Sequence, residues 1–145
     1  MPENNVLIFS SKFLNVSRIN KMIENETLLK KAWEAREYAA PSGDIKVGCA
    51  IATETDEIIL GWNVGGPWSN GVHAEVCAVV QLVKTKSKGV KIAIVANANF
   101  FTPCGNCRDW LLKFCDAAST VIIQNHQDET YNFILKDLCP DYPRI

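Results

Sequence analysis

The stretch TVIIQNHQDETYNFIL, residues 120–135, holds two runs rich in β-branched and aromatic side chains, Thr120 to Gln124 and Thr130 to Leu135. Only five residues, all polar, lie between them. A parallel pairing needs a crossover of about a dozen residues, so these runs are predicted to pair antiparallel. Working outward, Lys91 to Ala96, Val47 to Ala52 and Glu57 to Trp62 read as three more strands. Helical spacing of apolar residues appears in three places. Glu26 to Ala39 carries Leu28, Leu29, Ala32, Trp33 and Ala35, and Pro41-Ser42-Gly43 breaks it. His73 to about Lys86 carries Ala74, Cys77, Ala78 and Gln81; the third helix opens at Cys104 and runs through Trp110, Leu111, Leu112 and Phe114. Asn63 to Asn70 reads as a loop. The expected fold class is α/β, a three-layer α/β/α sandwich with a central mixed five-stranded sheet.

A chain of 145 residues fits one domain with a core of its own. Residues 1–25 read as an N-terminal extension whose Ile19, Met22 and Ile23 suit packing on the body or on another subunit; residues 26–145 form the folded domain. A net charge of −1 and a pI near 6.1 give no electrostatic footprint for nucleic acid or for an anionic membrane. The basic run Lys84-Thr85-Lys86-Ser87-Lys88 reads as a solvated helix end. No segment approaches the roughly 20 apolar residues of a membrane span. Residues 1–16 lack the basic start and cleavage site of a secretory signal.

The chemistry lies in His73-Ala74-Glu75 and Pro103-Cys104-Gly105-Asn106-Cys107-Arg108. One imidazole and two thiolates fill three tetrahedral positions on Zn²⁺ and leave a fourth open, the mark of a catalytic metal site. Glu75 stands two residues from His73, placed to act as acid and base. Cys104 and Cys107 alone would suit a redox pair or half of a structural zinc site. A redox pair has no need of His73 and Glu75, and a structural site needs a fourth ligand. His126 sits in a polar surface turn, and Cys49, Cys77, Cys115 and Cys139 read as small buried apolar residues. The ligand set of one imidazole and two thiolates balances the charge of Zn²⁺, and Val76 after Glu75 fits a site needing no extra cation. Arg108 is placed to donate to a thiolate. Both motif segments open helices, where free amides and the macrodipole favour anions. Reduced thiolates in a chain of six cysteines point to a reducing, cytoplasmic compartment.

This H-x-E…P-C-x-x-C arrangement resembles the known signature of zinc nucleobase deaminases. From about Thr27 to Tyr142 the chain resembles the cytidine deaminase family, including its blasticidin-S deaminase relatives. The resemblance rests on Val47-Gly48-Cys49-Ala50, Gly61-Trp62-Asn63, His73-Ala74-Glu75, the PCGxCR form of residues 103–108, and Leu138-Cys139-Pro140. In tRNA adenosine deaminases a Glu commonly precedes the Pro-Cys, where this chain has Thr102 after Phe101. Those proteins also build parallel fourth and fifth strands, against the short connection at residues 125–129.

The resemblance implies a zinc-dependent hydrolase that converts an aminopyrimidine nucleoside, cytidine or deoxycytidine, to its uridine form and ammonia, as in pyrimidine salvage. Zinc on His73, Cys104 and Cys107 would activate a water, and Glu75 would carry protons to the ring nitrogen and the leaving amine. It further implies that Asn63 binds the ribose, that Ile45 fills the place of a pocket phenylalanine, and that Trp68 and Tyr142 lie near the base. Gly65 stands where cytidine deaminases carry a second ribose-binding residue, a Glu; the loop to Glu75 is one residue short, and Asp109 replaces a Gln. The same chemistry on a modified nucleoside such as blasticidin S is the alternative, and a catalytically silent zinc protein of this fold is the other. A free nucleoside is the expected partner, with no nucleic acid or membrane, in a homotetramer or dimer.

Overall fold

The computed structural model describes residues 23–66 and 70–142. The first helix, α1 (Asn25–Arg36), precedes β1 (Val47–Thr53) and β2 (Ile58–Trp62). A short ribbon follows, β3 (Val64–Gly65) with β4 (Gly71–Val72), and then α2 (Ala74–Thr85) and β5 (Gly89–Ala96). The chain ends through α3 (Gly105–Phe114), β6 (Cys115–Gln124), β7 (Thr130–Ile134) and a 3₁₀ turn at Leu135–Leu138. The sheet has the order β2-β1-β5-β6-β7. β5 and β6 are parallel across the α3 crossover; the other pairs are antiparallel, including the β6–β7 hairpin expected from its short connection.

Alternation along the strands assigns each face its helices. Ala50, Ala52, Ala93, Val95 and Ile122 face α1, where Leu28, Leu29 and Ala32 are buried. Cys49, Ile51, Ile92, Ile94, Val121 and Ile123 face α2 and α3 and meet Ala78, Val79, Leu82 and Leu111. The α1 face is built largely of alanine, so that helix lies close. Trp33 Nε1 donates to Gln124 Oε1 at 2.6 Å and pins α1 across the sheet. Two strand glycines are the seats of the helices. A Cβ on Gly48 would collide with Ala32 O and the Arg36 backbone of α1, and one on Gly61 with Ala74 O and Ala78 N of α2.

Three boundaries differ from expectation. Helix α1 stops at Arg36, because the amides of Glu37, Tyr38 and Ala39 bond to carbonyls three residues back and tighten the end. That turn delivers Ala40 to a bridge with Val64. Part of the expected loop 63–70 is the β3–β4 ribbon, whose pairing is too short to show as a pattern. β6 begins at Cys115, directly on the end of α3, and an irregular register absorbs residues 116–119. Ile23 is buried and its carbonyl accepts from Lys91 Nζ at 3.0 Å, so packing starts before the helix. Ile19 and Met22 lie outside the described residues. No described helix is long and apolar enough to cross a membrane.

Because α2 rests on Gly61, G61V is expected to cost about 3 kcal/mol through overpacking, a melting shift of roughly 10 °C. G43A, where an added Cβ meets nothing within 4 Å, should leave the melting temperature unchanged. Thermal denaturation of the two variants checks the pair.

Candidate active site

His73 and Cys104 are the N-cap residues of α2 and α3, with extended backbones (φ −76°, ψ 153° and φ −68°, ψ 167°). Neither side chain caps its helix. N-caps are normally Ser, Thr, Asp or Asn, whose oxygens accept from first-turn amides. A His and a Cys with side chains turned away from that task are free for another partner. Cys107, on the first turn of α3, is buried beside them. His73 Nδ1 lies 3.3 Å from Cys107 Sγ and 3.4 Å from Cys104 Sγ. All three ligand atoms fall within 4.8 Å of one another. One ring nitrogen carries at most one proton and cannot donate to both sulfurs; a cation among the three satisfies them together. Zinc–ligand lengths of about 2.3 Å to sulfur and 2.0–2.1 Å to nitrogen make a tetrahedral N–S edge of about 3.6 Å. The donor set fits Zn²⁺.

Glu75 sits one residue into α2 and is only 6% exposed. Burial raises its carboxyl above the usual range, while its own backbone N–H, His73 and the Cys107 thiol pull it part of the way back. Burial likewise pushes the Cys107 thiol up, reinforced by Glu75 and Cys104. Negative charge is therefore crowded here, and a divalent cation is what relieves it. His73, Glu75 and Cys104 line a cavity of about 260 Å³ whose other walls include Ile45, Asn63 and Phe101.

Ile45 is 51% exposed and forms part of that wall. The Asn63 side chain lines it too, but its amide is committed to backbone: Oδ1 accepts from Val47 N at 2.8 Å, and Nδ2 donates to Ile45 O at 2.9 Å. One amide hydrogen and one lone pair are left for a ligand. Arg108 does not turn to a thiolate. It donates to Pro103 O (2.7 Å), Leu138 O (2.7 Å) and Thr102 Oγ1 (2.9 Å), bracing the loop that delivers Cys104. Three good oxygen acceptors within reach outcompete sulfur. Tyr142 does not enter the cavity in this chain; it borders a separate hollow with Leu112, Lys136 and Cys139. Trp68 lies outside the described residues. Sequence reasoning missed Ala98 and Phe101 as wall residues and Asn97 as their support. Asn97 Oδ1 accepts from Lys46 N at 2.8 Å and Nδ2 donates to Asp44 O at 3.1 Å. The available signal was their position in the loop leading to Cys104.

A neighbouring cleft of about 280 Å³ shares Asn63 and His73 with the cavity and adds Ser42, Gly65 and Asn70. A Cβ on Gly65 would collide with Ser42, so Ser42 occupies the space a longer side chain there would need. Ser42 Oγ donates to Gly66 O at 2.9 Å, which leaves the hydroxyl an acceptor for a ligand. Apart from His73, the cleft's described lining is uncharged.

C107S and C104S are expected to lose stoichiometric zinc while the wild type holds one ion per chain, as measured by atomic absorption. Zinc uptake by the metal-free protein at pH 7 should release at least about one proton, from the raised Cys107 thiol. Calorimetry in buffers of different ionisation enthalpy reads it.

Residues 22–124 match the family described as the cytidine and deoxycytidylate deaminase zinc-binding region. Cytidine deaminase 3 of Arabidopsis thaliana is 28% identical over 143 residues, 92% of this chain and 63% of its own length. Cytidine deaminase of Sporosarcina psychrophila is 29% identical over 119 residues, 79% of this chain and 88% of its own. The chain spans 30% to 63% of the Arabidopsis relatives it matches. The crystal structure of cytidine deaminase from Burkholderia pseudomallei superposes with a TM-score of 0.78 at 26% identity, covering 82% of this chain and 98% of that one. With the match extending from before α1 to the end of β6, across every zinc-ligand segment, the chain belongs to the cytidine and deoxycytidylate deaminase zinc-binding family.

Proposed function

We propose that this chain hydrolyses the exocyclic amine of a free cytosine nucleoside, cytidine or deoxycytidine, releasing ammonia. The observation that carries the reading is the buried Glu75 carboxyl in one cavity with His73 and Cys104. A structural zinc site has no use for a buried carboxyl beside its ligands. Zinc, when bound, supplies a Lewis acid and lowers the pKa of water toward neutrality. Glu75 performs the proton traffic. Its carboxylate takes a proton from the attacking water and delivers it to pyrimidine N3, which makes C4 electrophilic. The water oxygen bonds to C4, and that water's second proton passes through Glu75 to the amine as the C4–N bond breaks and ammonia leaves. The raised affinity of a buried carboxyl for protons suits the uptake half of this shuttle. Ile45 and Phe101 exclude water around the ring, and Asn63 offers its remaining amide hydrogen at the boundary with the cleft.

The uncharged lining of the cleft favours a nucleoside over its 5′-phosphate. A phosphate needs cations or several convergent amides, and no Lys or Arg lines the described cavity or cleft. The space that Ser42 takes beside Gly65 leaves the sugar without a carboxylate partner at that point. That observation also supports the second reading, a modified cytosine nucleoside such as blasticidin S.

A cytoplasmic, pyrimidine-salvage role accords with six cysteines that are all free thiols. A homotetramer accords with the apolar residues Val80, Val83 and Trp110, which are 58%, 46% and 37% exposed on α2 and α3.

Ultraviolet absorbance with cytidine, deoxycytidine, blasticidin S and deoxycytidine 5′-monophosphate tests the reading. Turnover of a nucleoside is expected, with kcat/KM for the monophosphate at least about 100-fold lower. E75Q should lower kcat at least about 100-fold while retaining zinc and ligand binding. Zinc-loaded wild type inactive on every aminopyrimidine would leave the silent zinc protein standing. Sedimentation should find an oligomer; an active monomer would remove the tetramer.

A further inference from the structure

One wall of the catalytic cavity is held from an unexpected direction. Ala98, Phe101 and Thr102 line the cavity and lie in the loop between the end of β5 at Ala96 and Cys104. Among the described residues, no backbone–backbone hydrogen bond holds positions 97–103. A loop in this state keeps its shape only through side chains. Its two ends are tied by Asn97, to the Asp44–Lys46 backbone, and by Arg108, to Thr102 and Pro103.

The middle is tied to the β6–β7 hairpin. His126 Nδ1 lies 3.0 Å from Ala98 O, an approach at which the ring nitrogen donates to the carbonyl. Phe100 packs edge-on against Tyr131, with ring centroids 5.0 Å apart and planes at 84°. The hairpin is stiff enough to anchor from. Asn125 Oδ1 accepts from the amides of Gln127 and Glu129, and Glu129 accepts from Asn125 Nδ2 at 3.0 Å and from the Tyr131 hydroxyl at 2.7 Å. Neither His126 nor Tyr131 lines the cavity. They reach it only through the backbone of Ala98 and the ring of Phe100.

We propose that the β6–β7 hairpin is the anchor of the cavity's loop wall, and that His126 and Tyr131 are positioning residues for the deamination site. Phe101 follows directly on Phe100, so a grip on the Phe100 ring sets where Phe101 stands against the substrate. The proposal rests on the deaminase reading for its substrate but not for its geometry. An edge-to-face aromatic pair and a neutral hydrogen bond are each modest ties. Losing one releases a fraction of the chains into wall positions that do not bind, and apparent affinity falls by that fraction while bound substrate reacts normally.

The test uses the full-length, zinc-loaded protein and two matched pairs. H126A and Y131A remove the ties. H126N places an amide nitrogen where the imidazole Nδ1 stood, and Y131F keeps the ring while losing only the Glu129 contact. The expected result is that H126A and Y131A each raise KM for the nucleoside about three- to ten-fold with kcat within two-fold. H126N and Y131F should restore most of the affinity, and zinc content should be unchanged throughout. Limited proteolysis is read alongside: chymotrypsin should cut the alanine variants faster at Phe100 and Phe101 and leave β5 and β6 intact. Unchanged KM and unchanged loop cleavage in the alanine variants would overturn the proposal, as would no rescue by H126N and Y131F. Loop cleavage decides the anchor whether or not any nucleoside is turned over, so a wrong substrate and a wrong anchor give different results.

Discussion

The site depends on the convergence of two helix N-termini. His73 occupies the N-cap position of α2 and Cys104 that of α3, and their side chains meet with Cys107 inside a 4.8 Å cluster. Helix position to within a fraction of an ångström decides whether those atoms share a metal. Two features of the sheet supply that precision. Gly61 lets the backbone of α2 rest on β2, and the parallel β5–β6 pair fixes where α3 crosses over. The N-cap dihedrals are those of ordinary extended caps, but the side chains that usually close a helix are replaced by metal donors. Helix N-termini favour negative charge beside them.

Electrostatics at this point would be unfavourable without a cation. Glu75 and Cys107 are buried together; burial raises the cost of charge on both, and Glu75 adds to it at Cys107. The ligand set of one imidazole and two thiolates neutralises a divalent ion, so Arg108 is not needed as a counter-charge and serves as a brace between Thr102, Pro103 and Leu138. Outside this centre the surroundings are apolar or neutral. Ile45 and Phe101 wall the cavity, and Ser42, Asn63 and Asn70 line the adjoining cleft. The segment 44–47 that presents Ile45 is clamped between two asparagines, Asn97 and Asn63, which take its backbone groups in turn, donating to the carbonyls of Asp44 and Ile45 and accepting from the amides of Lys46 and Val47.

Much of this was legible in the chain. The central strands are uniform apolar runs, the helices carry clean 3.6-residue spacing, and five residues between β6 and β7 admit only a hairpin. The metal ligands were legible because only a few residue types bind zinc and their spacing is short. Other features resisted for physical reasons. The β3–β4 ribbon has two residues a side, too few for any periodicity. An arginine beside a cysteine looks like a thiolate donor until the chain returns Leu138 O to it from 30 positions away. Asn63 reads as a free ligand-binding amide until the backbone of Ile45 and Val47 is seen to occupy half of its hydrogen-bonding capacity. Tyr142 near the end of the chain gave no sign of which hollow it would border.

The sequence by itself determined the layers, the strand pairing at residues 120–135, the zinc donors His73, Cys104 and Cys107, and the acid–base role open to Glu75. These follow from residue type and local spacing, which act over a few positions. Tertiary structure alone decided that Ser42 packs against Gly65, that Asn63 and Asn97 clamp the cavity's edge, and that a hairpin 28 residues along the chain holds the wall at Ala98. Each of those is a contact between segments with no local signal, made when the sheet closes and the helices come to rest on it.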